Sequence, residues 1–427
     1  MKTDRFRVTG NPRQALALYL VAGLALMAFL FGTVHSRTAA EIKAYPSFQG
    51  YHEILQVWVE HGYLRHGGMA FKEPVSANPS QRIWRSNSLI FLQGALLLQR
   101  INYLFRGAYS YKVTALHNQA VIWLTAALLG LLAMRLAQGL GMPPDRAFML
   151  GLANQAVYQT FPQNLQTYWE LFPQTALMLV VVAWLLIEEG QIGHPLIGPW
   201  FVRLRALVIF LMVWVEPYGA LLLLVGFVLA LYLLVPEERA RVSLLRSVVV
   251  PAVGGVAIFL AQLLWVKLRY PGVTLWSTGL LERSGLDGST QYVGGHWDLL
   301  TRKWPTPNLP VNSWKAVFLA GAIAFVMVVI LRLVSRLSLK VPIFVLCVLL
   351  GLYVPFAFAA FQATAIHPYG FDVWLFVPLT LALFVILPAA LEELTGHSGL
   401  LVFASIMAAW CFSWVQLRTY AMQFPLR

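Results

Sequence analysis

Apolar residues come in runs of about 20, the length that one crossing of a ~30 Å hydrocarbon core requires at ~1.5 Å of rise per helical residue. Polar and basic residues close each run, and the rhythm recurs along the whole chain. It predicts crossings over 14–36, 113–137, 146–160, 171–187, 247–266, 315–334, 341–361, 372–391 and 399–417. A further apolar run, 204–235, is broken by Glu216-Pro217-Tyr218-Gly219. Arg203 and Arg205 stand at one of its ends, and Arg239, Arg241 and Arg246 beyond the other. Basic residues at both ends predict a tight hairpin of two short helices, turned at Pro217 and Gly219. The pattern adds up to an all-α polytopic membrane protein of about eleven transmembrane helices. These form a single transmembrane domain over 1–427.

Lys2, Arg5, Arg7 and Arg13 precede the first run, and positive-inside bias sets that end in the cytoplasm. The run is long and lacks a small-residue cleavage site, so it is expected to be a retained helix and not a signal peptide. A polar stretch, 37–112, then forms an outer loop, and 267–314 forms a second one. Within the first loop, 49–62 has helical periodicity. Ile54, Leu55, Trp58 and Val59 make an apolar stripe, and Glu53, Gln56 and Glu60 share the opposite face. Too short to span, it is expected to lie at the membrane interface. The segment 88–105 carries Gln93, Gln99, Arg100 and Asn102, which favours a place on the outer face over a crossing.

Composition agrees with this reading. Of 427 residues, 59% are hydrophobic and 11% charged, against roughly 25% charged in a soluble domain. The net charge of +13 comes from 31 basic and 18 acidic residues. Because the basic residues punctuate apolar runs, topology and anionic lipid account for them, and nucleic acid is not expected as a partner. The two cysteines, Cys347 and Cys411, both fall in apolar segments and are expected to be small core hydrophobes. There is no sequon, no C-x-x-C, no P-loop and no dinucleotide fingerprint.

The residues able to carry chemistry gather in the outer stretches. Glu53 and Glu60 are candidate general bases, with a solvated helix face as the plainer alternative. His52 and His61 flank them without metal-ligand spacing. Arg82 and Arg85, beside Trp84, suit a bidentate clamp on a lipid phosphate or a snorkelling position at the interface. Glu170 opens an apolar helix, where an acid also complements the helix dipole. Glu216 lies in the middle of a long apolar run, where an unpaired carboxylate is expensive and a functional role is the default expectation. Arg283 and His296 belong to a glycine-rich stretch of the second loop. His367, Tyr369 and Asp372 form a tight polar turn between two crossings, and His367 suits a hydrogen bond donated to a phosphate or a proton shuttle, with a satisfied turn residue as the plainer alternative.

The order of these elements resembles the GT-C superfamily of membrane glycosyltransferases, which includes the protein mannosyltransferases and the lipid A aminoarabinose transferases. The stretch Gly50-Tyr51-His52-Glu53 through His61-Gly62-Tyr63 is similar to the family's acid, tyrosine and amphipathic helix ending in glycine. Ser88–Phe105 followed by Arg106-Gly107 resembles its apolar segment with a glycine-marked turn. The stretch 113–187, with Glu170 beginning a late helix, the Glu216-Pro217 hairpin and the His367 turn occupy comparable places. The family usually carries an aspartate just before that tyrosine. Here Ser47, Phe48 and Gln49 stand there, and 37–112 contains no aspartate.

The resemblance implies a glycosyltransferase that uses a polyprenyl-phosphate-linked sugar and a glycan, lipid or protein acceptor on the non-cytoplasmic face. It implies catalytic roles for Glu53, Glu60 or Glu216. It implies substrate contacts from Tyr51, His52, Arg82, Arg85, Glu170, Arg283, His367, Tyr369 and Asp372. It assigns no metal ligand and leaves a divalent metal open as a cofactor. The short basic loops and absent sequons point to a bacterial inner membrane. The alternatives are an O-antigen-type polymerase or ligase, in which Arg283 and His296 would serve, a lipid-linked glycan carrier, and a non-catalytic relative. A carrier would place ionisable residues within several crossings, whereas these crossings are nearly free of charge.

Overall fold

The computed structural model of the protein describes residues 12–34, 55–56, 59–60, 93–139, 142–160, 177–178, 180–182, 184–185, 199–215, 238–269, 380–395 and 399–423. Among these residues every regular element is a helix and none is a strand. They include α1 (Pro12–Val34), α2 (Gln93–Arg106), α3 (Tyr111–Gly139), α4 (Pro144–Gln159), α5 (Pro199–Val215) and α6 (Glu238–Arg269). A π-helical turn, Ala382–Ile386, then leads into α7 (Leu387–Thr395), and α8 (Leu400–Gln423) follows. Three segments are long and apolar enough to cross a membrane: Tyr111–Gln138, Arg246–Trp265 and Leu400–Arg418. The described part is therefore compatible with a membrane protein. The crossings expected at 315–334 and 341–361 lie outside it.

The helices stop where their sequences stop them. Gly107 adopts a left-handed φ of +66°, and its N–H donates to Tyr103 O at 2.8 Å. This closes α2 with the cap that only glycine adopts without strain. Pro144 opens α4 with Asp145 in its first turn, a pairing that wastes no backbone donor and complements the helix dipole. The π-turn has a local cause as well. Pro388 lacks the N–H that would bond Phe384 O in an α-helix, and Ser405 Oγ on α8 donates to that carbonyl instead, at 3.0 Å. At the start of α8, Glu392 accepts the N–H of Val402 at 2.9 Å.

The helix directions follow from their contacts. Tyr19 and Gly23 of α1 meet Gly151 and Gln155 of α4 in the same order, so these two helices run parallel. The short connection from α3 to α4 makes that pair antiparallel, with Gly130 facing Gly151. The guanidinium of Arg146, in the first turn of α4, packs against Gly399, so α8 begins at the end where α4 begins. The 380–395 segment runs against α8, since Val402 bonds Glu392 and Ser405 bonds Phe384. In the other pair, Arg205 Nη2 donates to Ser247 Oγ at 2.7 Å, and Trp214 Nε1 donates to Gln262 Oε1 at 2.9 Å. Ascending residues meet ascending residues, so α5 and α6 are parallel.

Small residues let the backbones meet. A Cβ on Gly130 would stand 2.6 Å from Gly151 O, and one on Gly151 would stand 2.8 Å from Gly130 O. A Cβ on Gly255 would likewise fall 2.7 Å from Phe210 O. Such contacts are the usual means of helix association in lipid, where apolar burial supplies little driving force. One expectation is corrected. Cys411 is exposed and not a core residue, because it lies on an outward face of α8 with exposed Phe403, Met407, Trp414 and Val415.

Candidate functional site

Tyr19 ties three helices together. Its hydroxyl lies 2.8 Å from Ala127 O on α3 and 2.8 Å from Gln155 Oε1 on α4. Gln155 completes the link by donating its Nε2 to Gly23 O at 3.0 Å. The bond to a carbonyl fixes which end of this amide is nitrogen, so the single hydroxyl proton of Tyr19 is shared between two acceptors, Gln155 Oε1 and Ala127 O. These buried and part-buried contacts join positions 108 to 136 apart in sequence. They set the register of α1 on the α3–α4 pair just above the contact between Gly130 and Gly151.

On one side of that contact the α3–α4 interface is apolar. Leu132, Ala133, Met134, Leu136 and Ala137 of α3 and Ala147 and Leu150 of α4 are all buried there. On the other side, away from the α3–α4 connection, polar residues are buried among apolar ones such as Ile122, Ala126, Ala156 and Val157. Asn154, Gln155, Tyr158, Gln159 and Thr160 are buried along α4, and Thr114, Asn118 and Gln119 along α3. Gln159 lies about 12 Å along α4 from Gly151, and Asn118 about 18 Å along α3 from Gly130, at ~1.5 Å per residue. Both are at the same end of the antiparallel pair. On α4 the polar residues recur at positions i, i+1, i+4 and i+5, which gathers them on one helix face.

Part of this polar end is internally satisfied. Gln99 of α2 is fully buried and closes the α2–α3 hairpin. Its Nε2 donates to Thr114 Oγ1 at 2.7 Å and to Ser110 O, while its Oε1 accepts the N–H of Ser110 at 3.2 Å. Asn102 Nδ2 donates to Ala108 O at 2.8 Å. Thr160 Oγ1 folds back on Ala156 O at 2.8 Å. Other groups are left over. Asn118 Nδ2, Asn154 Oδ1 and both ends of the Gln159 amide are buried without a hydrogen-bond partner among the described residues. Leaving such a group unpaired costs about 1–3 kcal/mol, and native structures usually offset that with water or a ligand. The unfilled valences include both donors and acceptors, and none is charged. They match hydroxyls, which donate one hydrogen bond and accept two.

Of the residues expected to act, Glu60 is described. It is exposed, and Gln56 Nε2 donates to its Oε1 at 2.9 Å. Leu55, from the opposite stripe, is buried, as the helical periodicity of 49–62 requires. Tyr51, His52, Glu53, Arg82, Arg85, Glu170, Glu216, Arg283, His367, Tyr369 and Asp372 lie outside the described residues. Among the described residues no three His, Cys, Asp or Glu side chains come together as metal ligands. The buried amides were not singled out as functional residues in sequence. The available signal was the pair of doublets Asn154-Gln155 and Tyr158-Gln159, four residues apart in an apolar run.

No protein-family model, no curated protein and no solved structure matches this chain.

Proposed function

We propose that the protein is a membrane glycosyltransferase that moves a sugar from a polyprenyl-phosphate donor to a glycan, lipid or protein acceptor on the non-cytoplasmic face. In this reading the chain has about eleven crossings in a GT-C-like arrangement, within a bacterial inner membrane. The parallel course of α5 and α6 supports that count. With both helices running outward, one return crossing falls between Val215 and Glu238, with Glu216 at the outer turn.

The observation that carries the proposal is the uncharged, unsatisfied amide set at one end of the α3–α4 pair. Sugar hydroxyls, which both donate and accept, match such neutral donors and acceptors. With the basic amino terminus taken as inside, the relative directions of α1, α3, α4 and α8 support a polar end that faces away from the cytoplasm. It is then on the side of the outer loops.

The chemistry is a single displacement at the anomeric carbon. Glu53, or Glu60 about two helical turns along the same face, takes the acceptor hydroxyl's proton as the oxygen attacks. The sugar–phosphate bond breaks, and the lipid phosphate leaves with its charge stabilised by Arg82, Arg85 or His367. Inversion at the anomeric centre follows.

The test is turnover by purified protein in nanodiscs with a panel of radiolabelled polyprenyl-phosphate sugars. Wild type is expected to consume one donor, Glu53→Gln to lose that turnover, and Gln159→Leu to lower it about tenfold, the equivalent of one hydrogen bond. Folded protein inert towards every donor would overturn the proposal in favour of a carrier or a silent subunit.

A further inference from the structure

His117 is wedged between two helices at the polar end of α3. The α2–α3 hairpin brings Gln99 to Thr114 and, farther from its turn, Gly94 to His117. A Cβ on Gly94 would stand 2.6 Å from His117 Nε2, so any larger residue there would displace the ring. The other edge of the half-buried ring faces the next residue of α3. His117 Nδ1 lies 3.2 Å from Asn118 Oδ1. Asn118 is buried, and its Nδ2 has no hydrogen-bond partner among the described residues.

This arrangement decides where the ring proton sits. A ring nitrogen facing an amide oxygen must be the donor, since two lone pairs would repel. The reverse, with the amide turned and Nδ1 bare, would move the proton to Nε2. Among the described residues nothing accepts a hydrogen bond there. A stranded N–H is rarer in native proteins than an underused acceptor. A bond from Nδ1–H to a carbonyl oxygen is also a common way for a histidine tautomer to be set. Neither α2 nor α3 carries an aspartate or glutamate, so the ring is not paired with an acid on either helix.

We infer that His117 is a positioning residue. Its Nδ1–H holds the Asn118 carboxamide with Oδ1 toward the ring, and Nδ2 is left to donate into the polar end. Position 118 then acts as a donor only, which selects an accepting oxygen, such as a hydroxyl or ether oxygen of a polyol. The ligand rests on the proposed sugar site, whereas the tautomer rests on the hairpin alone.

Histidine labelled with nitrogen-15 in its ring reads the tautomer directly, by NMR of the full chain in nanodiscs. The buffer is mildly alkaline, where an unpaired imidazole is neutral, and the His117 signals are those missing from His117→Asn. The expected result is a protonated Nδ1 and a bare Nε2. Asn118→Leu is expected to return the proton to Nε2. A bare Nδ1 in the wild type would overturn the inference, and so would an Nδ1 proton that survives Asn118→Leu. Turnover of monodisperse protein gives the second readout. His117→Leu is expected to raise KM for the consumed donor about tenfold with little change in kcat, the loss of one oriented hydrogen bond. His117→Asn, whose Nδ2 can stand in for Nδ1, is expected to recover most of that loss. Equal losses from the two variants would contradict a positioning role. Wild type inert towards every donor, yet with the Nδ1 proton in place, would count against the transferase and for the positioning.

Discussion

The two ends of the α3–α4 pair are built from the same kind of helix and packed for different purposes. At the end near the α3–α4 connection, leucine, alanine and methionine fill the interface. The backbones then meet at Gly130 and Gly151, where no side chain fits. At the far end Asn118, Gln119, Asn154, Gln155, Tyr158 and Gln159 are buried among apolar residues such as Ile122, Ala126, Ala156 and Val157, and among the described residues Asn118 Nδ2, Asn154 Oδ1 and the Gln159 amide have no hydrogen-bond partner. An interface selected for stability alone would fill those positions with leucine. Retaining unsatisfied amides costs stability, and that cost is the usual mark of a site where binding matters more than packing.

The contrast can be broken first at its hinge. Gly151→Leu is expected to destabilise the protein by about 3 kcal/mol or to prevent folding, because overpacking a backbone contact leaves no rotamer to relax into. Thermal unfolding in detergent, followed by tryptophan fluorescence, measures it. Tyr19→Phe is milder. It strips Gln155 of its donor and is expected to cost about 1–2 kcal/mol, read in the same assay. Gln159→Leu sharpens the comparison, since the expected sign reverses. Removing an unpaired buried amide is expected to raise stability by up to ~1 kcal/mol while lowering donor turnover. Lower stability together with unchanged turnover would mean that the polar end is ordinary packing. The smallest effect belongs to Trp214→Phe, which removes one bond to Gln262 in the α5–α6 pair. About 0.5–1 kcal/mol is expected there, with turnover unchanged.

Hydropathy made the apolar helices legible because each needs one long run closed by charge. The expected 113–137 is found as Tyr111–Gly139, and 146–160 as Pro144–Gln159. Two helices outrun their expected ends through stretches that carry charge. α6 begins at Glu238, not at 247, and α8 continues to Gln423, since charged residues continue a helix beyond the hydrocarbon that hydropathy detects. The site was far less legible. A buried amide in an apolar run reads only as a dilution of hydrophobicity, and whether it is satisfied depends on helices far away in sequence. Tyr19 and Gln155 are 136 positions apart, and no local pattern announces that they meet. Cys411 was misread for a related reason. An apolar segment does not reveal which of its faces turns outward.

The account stands on α3 crossing the membrane with its polar end outside. The most direct measurement is labelling by a membrane-impermeant maleimide in intact cells, with Cys347 and Cys411 replaced by serine. A single cysteine is placed at Ala108, in the α2–α3 turn, or at Pro143, in the α3–α4 connection; both positions are exposed. The account predicts that Ala108→Cys is labelled in intact cells and Pro143→Cys only after the membrane is opened. Labelling of both from outside, or of Pro143→Cys alone, would contradict it.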